Sequence, residues 1–137
     1  MSIAPLDPSE IDELLKAAEA VYGEFSLGRD FSAGSCAAAL RTRSGRVFTG
    51  ICLDLACGIG FCAEHAAVAE MLKARETAIE LVVAVAGAAI VPPCGRCREL
   101  MVQIDPGNLD TGVVLARDRV VPLRELLPEH WLGCQGG

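Results

Sequence analysis

Apolar residues recur at spacings of three and four from Ile11 through Leu14, Leu15 and Ala18 to Val21, and Pro8-Ser9-Glu10 stands ahead of them. A serine able to cap, an early acidic turn and that period predict a helix over 9–24. The next stretch, 22–34, holds three glycines and no period, so it reads as a loop that carries Phe31 towards the following element. Segments 36–42 and 46–53, parted by Arg43-Ser44-Gly45, read as the two strands of a hairpin. Over 62–76, Ala66, Ala69 and Leu72 form one stripe and Glu70, Lys73 and Glu76 another, which predicts an amphipathic helix. Segment 79–86 is rich in valine and almost continuously apolar, as a strand buried on both faces would be. Pro92-Pro93 ends it, and 94–104, with Leu100, Met101 and Ile104, predicts another helix. Two more strands are expected at 113–116 and 120–123, and a short last helix at 124–127. Strands alternating with helices through the middle of the chain imply an α/β fold with parallel crossovers and helices covering the sheet.

A chain of 137 residues suits one domain with its own core, so 1–137 is read as a single domain. At 52% hydrophobic and 22% charged it can build a packed interior. With only one Trp, one Tyr and four Phe, that interior must be filled by Ala, Val and Leu. The net charge of -6 and the scattered basic residues are unfavourable for gripping a polyanion, so no nucleic-acid partner is expected. Pro5, Asp7, Pro8 and Glu10 stand where an export signal would need a basic start and an apolar run. The most apolar stretch, 79–91, contains Glu80 and falls short of the ~20 residues of a membrane span. A cytoplasmic protein is expected, and there seven cysteines point to metal binding or catalysis before disulfides.

The chemistry concentrates in Cys62-Ala63-Glu64 and Pro93-Cys94-Gly95-Arg96-Cys97. Together they offer three soft metal ligands and one carboxylate. A structural zinc usually takes four protein ligands, whereas a catalytic zinc takes three and leaves a position for water. Cys94 and Cys97, three apart at a helix start, can clasp one ion, and Cys62 opens a different helix. Two helix N-termini aimed at one place lower the thiol pKa values and offset negative charge. Three thiolates on Zn²⁺ still leave a net negative charge, so neutralising donors are expected. Arg98, on the face of Cys94, and His65, three after Cys62, are placed to donate to thiolates, while Arg96 is expected to point away. Glu64 lies off the face of Cys62 and is free to shuttle protons as general base and then general acid. Taken alone, it is also the acidic residue that a helix dipole favours in a first turn. The Cys-x-x-Cys by itself also fits a redox dithiol, against which stand its late position, the lack of a nearby Trp and the unexplained Cys-Ala-Glu. A third reading is a structural zinc completed by Cys36, Cys52, Cys57, Cys134 or His130. Otherwise those cysteines are small packed hydrophobes and His130 is a surface residue.

These motifs resemble the zinc-dependent cytidine deaminase family, and within it the small tetrameric nucleoside deaminases and blasticidin S deaminase. The superfamily signature is a ligand-x-Glu followed by Pro-Cys-x-x-Cys. The likeness covers nearly the whole chain, through Gly45-Arg46-Val47-Phe48-Thr49-Gly50, Cys62-Ala63-Glu64, Pro93-Cys94-Gly95-Arg96-Cys97-Arg98 and Leu123-Arg124-Glu125-Leu126-Leu127-Pro128. It implies a three-layer α-β-α sandwich whose mixed five-stranded sheet has helices on both faces. It implies Cys62, Cys94 and Cys97 as zinc ligands, Glu64 as proton shuttle and the backbone of Ala63 against a cytosine base. The implied reaction is hydrolysis at C4 of a cytosine nucleoside to the uracil product and ammonia, by a homotetramer of pyrimidine salvage. Departures fall on the substrate contacts. The family's ribose-binding Asn-x-Glu is replaced by Cys52-Leu53-Asp54, where Asp54 could stand in with a shorter reach but Cys52 is a poor substitute for an amide. His65 replaces the usual Arg, so it is expected to share the neutralising task with Arg98. Phe31 and the C-terminal Trp131 complete the expected substrate contacts, the aromatic C-terminus reaching a neighbouring subunit's site in relatives. Blasticidin S deaminase also lacks the full ribose pair, so a cytosine-bearing nucleoside antibiotic is the alternative substrate. A non-catalytic, zinc-stabilised binding module is the second alternative.

Overall fold

The computed structural model describes residues 6–134, without the side chain of Cys134, so the expectation for that cysteine lies outside the described residues. Helix α1 (Pro8–Val21) starts one residue before the expected boundary, because Asp7 caps it in place of Ser9. The Asp7 carboxylate accepts from the Ser9 N–H at 3.0 Å, and Glu10 returns the bond by accepting from the Asp7 N–H at 3.1 Å. Pro8 at the first helical position gives up no hydrogen bond there, and its fixed φ suits a helix start. The stretch expected to be loop contains a two-residue strand, β1 (Phe25–Ser26), before β2 (Ser32–Thr42) and β3 (Val47–Asp54).

Helix α2 (Ala63–Lys73) is followed by β4 (Ile79–Ala86) and by a short β5 (Ala89–Val91) that the sequence pattern did not reveal. Gly87, at φ 63°, turns the chain between them. Then come α3 (Gly95–Ile104), a 3-10 turn at Pro106–Asp110, β6 (Gly112–Ala116), β7 (Arg119–Pro122), α4 (Leu123–Leu126) and α5 (Trp131–Cys134).

The sheet has seven strands where five were expected, and the two short additions, β1 and β5, share ranks with longer strands so that the seven fill five ranks. β3 lines one edge of β2, while β1 and then β4 occupy successive halves of the other edge. On the far edge of β4, β5 and β6 divide the length in the same way, and β7 closes the sheet beyond β6. β4 and β6 run parallel across the α3 crossover, and the other pairs are antiparallel. β3 and β4 are therefore parallel to each other with β2 between them.

Side chains alternate between the two faces of this sheet. Ala37, Ala39, Leu81, Val83 and Val85 pack on Ile11, Leu14, Leu15 and Ala18 of α1. Leu40, Val82 and Val113 pack on Val68 and Met71 of α2 and Met101 of α3. Both faces are covered, giving the α-β-α layering that the resemblance implies. Small residues bring the helices close. A Cβ at Gly50 of β3 would collide with the Ala67 N and lie 2.6 Å from the Ala63 O, so α2 rests on the strand almost backbone to backbone.

Between Ala33 and Ala37 the register of β2 against β3 slips. Gly34 sits in this bulge at φ 85°, where any Cβ would strike the Gly23 carbonyl oxygen. Bulges re-aim side chains, and two residues within this one, Ser35 and Cys36, line a cavity. Among the described residues no helix is long and apolar enough to cross a membrane.

Candidate active site

Two helix starts meet at one end of the sheet. Cys62 is the N-cap of α2 and Cys94 the N-cap of α3, both in extended conformation, and neither side chain makes a cap hydrogen bond. Their sulfurs are therefore available to one another. Cys62 Sγ lies 3.3 Å from Cys94 Sγ, and Cys94 Sγ lies 3.5 Å from Cys97 Sγ one turn into α3. The segment that delivers Cys62 is stitched to the end of β3. Leu53 N–H donates to the Phe61 carbonyl at 3.0 Å and Phe61 N–H to the Leu53 carbonyl at 3.1 Å. Gly60 allows this approach, because a Cβ there would collide with the Leu53 carbonyl oxygen.

Three sulfurs bound to one tetrahedral zinc at ~2.3 Å would stand about 3.8 Å apart, close to the observed spacing. The donor set also fits a soft, borderline cation. His65 joins the cluster: a ligand atom each from Cys62, His65 and Cys97 lies within 4.8 Å of the others. Its Nδ1 is 3.5 Å from Cys97 Sγ, where an imidazole N–H can donate to a thiolate. Burial, and then the positive charge of Arg96, push the His65 pKa down.

Packed together, two of the three thiols resist ionisation. Burial and the hydrogen bond with Cys94 push Cys62 up to about 11. Burial, then the Glu64 charge, drive Cys97 upwards. Burial also acts on Cys94, but the backbone N–H groups of Cys97 and Arg96 and its thiol neighbours outweigh it and hold that thiol below its ordinary value. This is the helix N-terminus acting on a sulfur. A coordinated cation removes the proton from every thiol that binds it.

Beside the sulfurs opens a cavity of about 480 Å³, within the ~300–1,000 Å³ of small-molecule sites. Glu64 lines it although the residue is only 5% exposed. Burial raises the Glu64 pKa above the usual carboxylate range. Ala63, fully buried, lies next to it, and Ala84, Val91 and Pro92 supply apolar wall. From the sheet come Cys52 and Asp54, two residues apart on β3, and Ser35 from the bulge in β2.

Several expected residues lie elsewhere or do something else. Arg98 does not reach a thiolate: its Nε donates to the Pro93 carbonyl and its Nη1 to the Leu126 carbonyl, both at 2.8 Å. It pins the loop before α3 to the end of α4, a partner that helix spacing could not reveal. Arg96, expected to point away, lines the cavity, and its Nη1 donates to the Gly60 carbonyl at 3.4 Å. Phe31 is 42% exposed and borders a smaller neighbouring cleft that shares Asp54 with the main one. Trp131 is 56% exposed and is not among the residues lining the cavity of its own chain. Its backbone N–H donates to Glu99 at 2.8 Å. Of the cysteines read as packed hydrophobes, Cys52 is buried and Cys36 half-buried, but Cys57 is exposed in a turn at φ 62°. His130 is half-buried, and its Nδ1 accepts from the Gly133 N–H at 3.3 Å.

Sequence reasoning missed Ser35 and the place of Arg96. Ser35 sits in a run of small residues whose faces depend on the bulge, and no spacing rule marks it. Arg96 is displayed to a loop 36 residues earlier in the chain.

No family model matches this chain. Solved structures do. Cytidine deaminase from Burkholderia pseudomallei is 30% identical, with a TM-score of 0.70 over 88% of this chain and 98% of its own. Cytidine deaminase from Mycobacterium leprae is 25% identical, with a TM-score of 0.72 over 87% of this chain and 98% of its own. That of Mycobacterium tuberculosis is 25% identical, with a TM-score of 0.70 over 93% and 98%. With this degree of likeness running over almost the full length of such relatives, and with the thiol cluster and the buried glutamate meeting at one cavity, the chain belongs to the cytidine deaminase family and is a hydrolytic deaminase.

Proposed function

We propose that this protein hydrolyses the exocyclic C–N bond of a cytosine nucleoside, cytidine or deoxycytidine or a modified relative, releasing ammonia and the uracil product. The observation that carries the reading is the cluster of three cysteine sulfurs, two of whose residues, Cys62 and Cys94, line one cavity of nucleoside size together with the buried Glu64. Cys62, Cys94 and Cys97 would hold zinc, which when bound supplies Lewis acidity and lowers the pKa of water. Glu64 takes a proton from the attacking water as the C4–O bond forms and delivers it to N3 of the ring. It then passes the second water proton to the exocyclic nitrogen as the C4–N bond breaks, so that the nitrogen leaves as ammonia. The buried position of Glu64 excludes the bulk water that would otherwise take up those protons. Ala63 presents backbone to the base, Val91 and Pro92 give the ring an apolar wall, and His65 donates to Cys97 to reduce the negative charge of the sulfur cluster.

Within the same proposal the single domain assembles as a homotetramer in cytoplasmic pyrimidine salvage, with Trp131 of each chain serving a neighbour's site. Exposed Tyr22, Phe25, Leu27, Phe31, Ile59 and Trp131 support the assembly, since they leave apolar surface uncovered in one chain.

The test is ammonia release from cytidine by zinc-loaded protein and by Glu64→Gln. The variant is expected to keep its zinc and its melting temperature and to lose at least ~10²-fold in kcat. Full activity in Glu64→Gln would refute the role given to this carboxylate.

A further inference from the structure

Two cysteines that the mechanism does not use face each other across the sheet. β2 and β3 pair Leu40 with Phe48 and Ala38 with Gly50, and one further step in that register sets Cys36 opposite Cys52. Alternate residues of a strand share a face, and Cys36 packs against the small buried cluster of Ala38, Cys52, Ala63 and Ala84. The Cys36 N–H donates to Cys52 Sγ at 3.2 Å, so the sulfur of one lies against the backbone of the other. Directly opposed residues of an antiparallel pair have Cβ atoms about 4.5–5.5 Å apart, and a disulfide needs about 3.5–4.5 Å. The difference of roughly 1 Å falls where the ladder is already interrupted, since the register slips between Ala33 and Ala37. A bulged strand bends at such a point without disturbing the regular pairing beyond it. Both residues line the cavity, Cys36 half-buried and Cys52 buried, so a small oxidant that enters meets Cys36 first. Burial, and then a charge on Cys52, push the Cys36 pKa up, which keeps this thiol protonated and slow to react until an oxidant is abundant.

We infer that Cys36 and Cys52 form a modification site, a cross-strand dithiol that hydrogen peroxide converts to a disulfide, and that this bond switches the deaminase off. The Cys36 sulfur attacks one oxygen of the peroxide, the O–O bond breaks, the other oxygen leaves as water with the thiol proton, and Cys36 becomes a sulfenic acid. Cys52 Sγ attacks that sulfur, the S–O bond breaks, and the hydroxyl leaves as a second water with the Cys52 proton. The two thiols together give up two electrons, and one peroxide is reduced to two waters. The bond acts on the site in two ways. It draws β2 and β3 together in a wall of the cavity that Glu64 also lines. It also removes a hydrogen bond: Ser35 spends its own hydrogen on Asp54 at 3.0 Å, so in its 3.2 Å contact with Cys52 the thiol is the donor, and a disulfide has no hydrogen to give. Cys62 and Cys94, with sulfurs 3.3 Å apart, are the competing pair, and their oxidation would expel zinc, which separates the two events. That the bond stops a deaminase rests on the reading given above; that the bond forms does not.

The test treats zinc-loaded protein with hydrogen peroxide, caps the remaining thiols under denaturing conditions and maps tryptic peptides by mass spectrometry, while zinc loss and ammonia release from cytidine are followed. Trypsin cuts at Arg41, Arg43 and Arg46 between the two cysteines, so bridged peptides travel as one species until reduced. Fragmentation then tells Cys52 from Cys57 and Cys62 in the same peptide. The expected result is a Cys36–Cys52 link with zinc retained, and ammonia release reduced on the order of 10²-fold, as a displacement of ~1 Å beside reacting groups produces. Dithiothreitol is expected to reverse both. Cys36→Ser, or Cys36→Ala if the hydroxyl unsettles the fold, is expected to keep its basal activity and to hold it in peroxide. Peroxide that left both thiols free, a link that left ammonia release unchanged, inactivation of Cys36→Ser at the parental rate, or a Cys62–Cys94 link with zinc loss in place of the expected one would each overturn the inference. The two readings fail separately. A reversible Cys36–Cys52 link in protein that released no ammonia even when reduced would overturn the proposed reaction and leave the modification site standing. Ammonia release from protein that formed no such link would do the reverse.

Discussion

Replacing Gly50 with alanine sets a methyl group 2.6 Å from the Ala63 carbonyl oxygen and 2.6 Å from Ala66 Cβ, and against the backbone nitrogen of Ala67. Carbon needs about 3.5 Å from such atoms, so the gap is short by roughly 1 Å. No rotamer change relieves it, because the obstructing atoms are backbone and a Cβ. The strain must go into a displacement of α2 from the sheet. Overpacking of this kind costs about 1–3 kcal/mol, which for a domain of this size lowers the melting temperature by roughly 3–12 °C. The displacement also has a catalytic consequence. α2 carries Cys62 and Glu64 at its start, whereas Cys94 and Cys97 belong to α3, so moving one helix opens the sulfur cluster and misplaces the carboxylate. Misplacement by ~1 Å costs on the order of 10²-fold in rate. Calorimetry, zinc stoichiometry and kcat/KM for cytidine on Gly50→Ala together measure both consequences. A variant with the parental melting temperature and parental kcat/KM would show that α2 is not seated on Gly50 and would refute the reasoning.

Three further outcomes are expected. Asn108 is fully buried; its Oδ1 accepts from Ile79 N–H at 2.8 Å and its Nδ2 donates to the carbonyls of Thr77 and Met101 at 3.0 Å. Asn108→Ala leaves those groups unpaired in the interior and should cost about 3 kcal/mol by urea denaturation, and a loss under ~1 kcal/mol would contradict the network. His65→Gln should keep one zinc per chain with affinity weakened about 10- to 100-fold, as for loss of a hydrogen bond to a ligand; a changed ligand-field spectrum in the cobalt form would make His65 a ligand instead. The Ser44 hydroxyl, then Thr42, hold the Glu76 pKa below its ordinary 4.5, so its ionised form stabilises the fold above that value and the contribution is lost as pH falls through the lowered one. Denaturation of Glu76→Gln across the pH range should accordingly show a deficit at neutral pH that closes on acidification below 4.5, and a constant deficit would argue against the linkage.

The helices, the central strands and the three-cysteine motif were legible because each is a local property. A period of three and four, a run of buried valines, and cysteines three apart on one helix face survive whatever the rest of the chain does. Boundaries failed where two local signals competed. Ser9 and Asp7 are both capping residues, and Pro8 decided for Asp7 by favouring the first helical position. Short strands failed for another reason: β1 and β5 have two and three residues, too few to show a period, and they exist because β2 and β4 offer free edges.

The amino-acid sequence by itself determined which groups meet at the site: three thiols and one carboxylate, written in two short motifs whose cysteines Cys62 and Cys94 stand 32 residues apart, each motif at a helix N-terminus. The tertiary structure decided the surroundings of that chemistry. It sent the Arg98 guanidinium to two carbonyls, turned Arg96 into the cavity, and used a bulge at Gly34 to set Ser35 against Cys52 and Asp54. Each of these contacts joins segments 5 to 36 residues apart, or depends on a register slip that flips the face of a strand. Spacing rules describe which side chains share a face of one element, and only packing determines what that face meets.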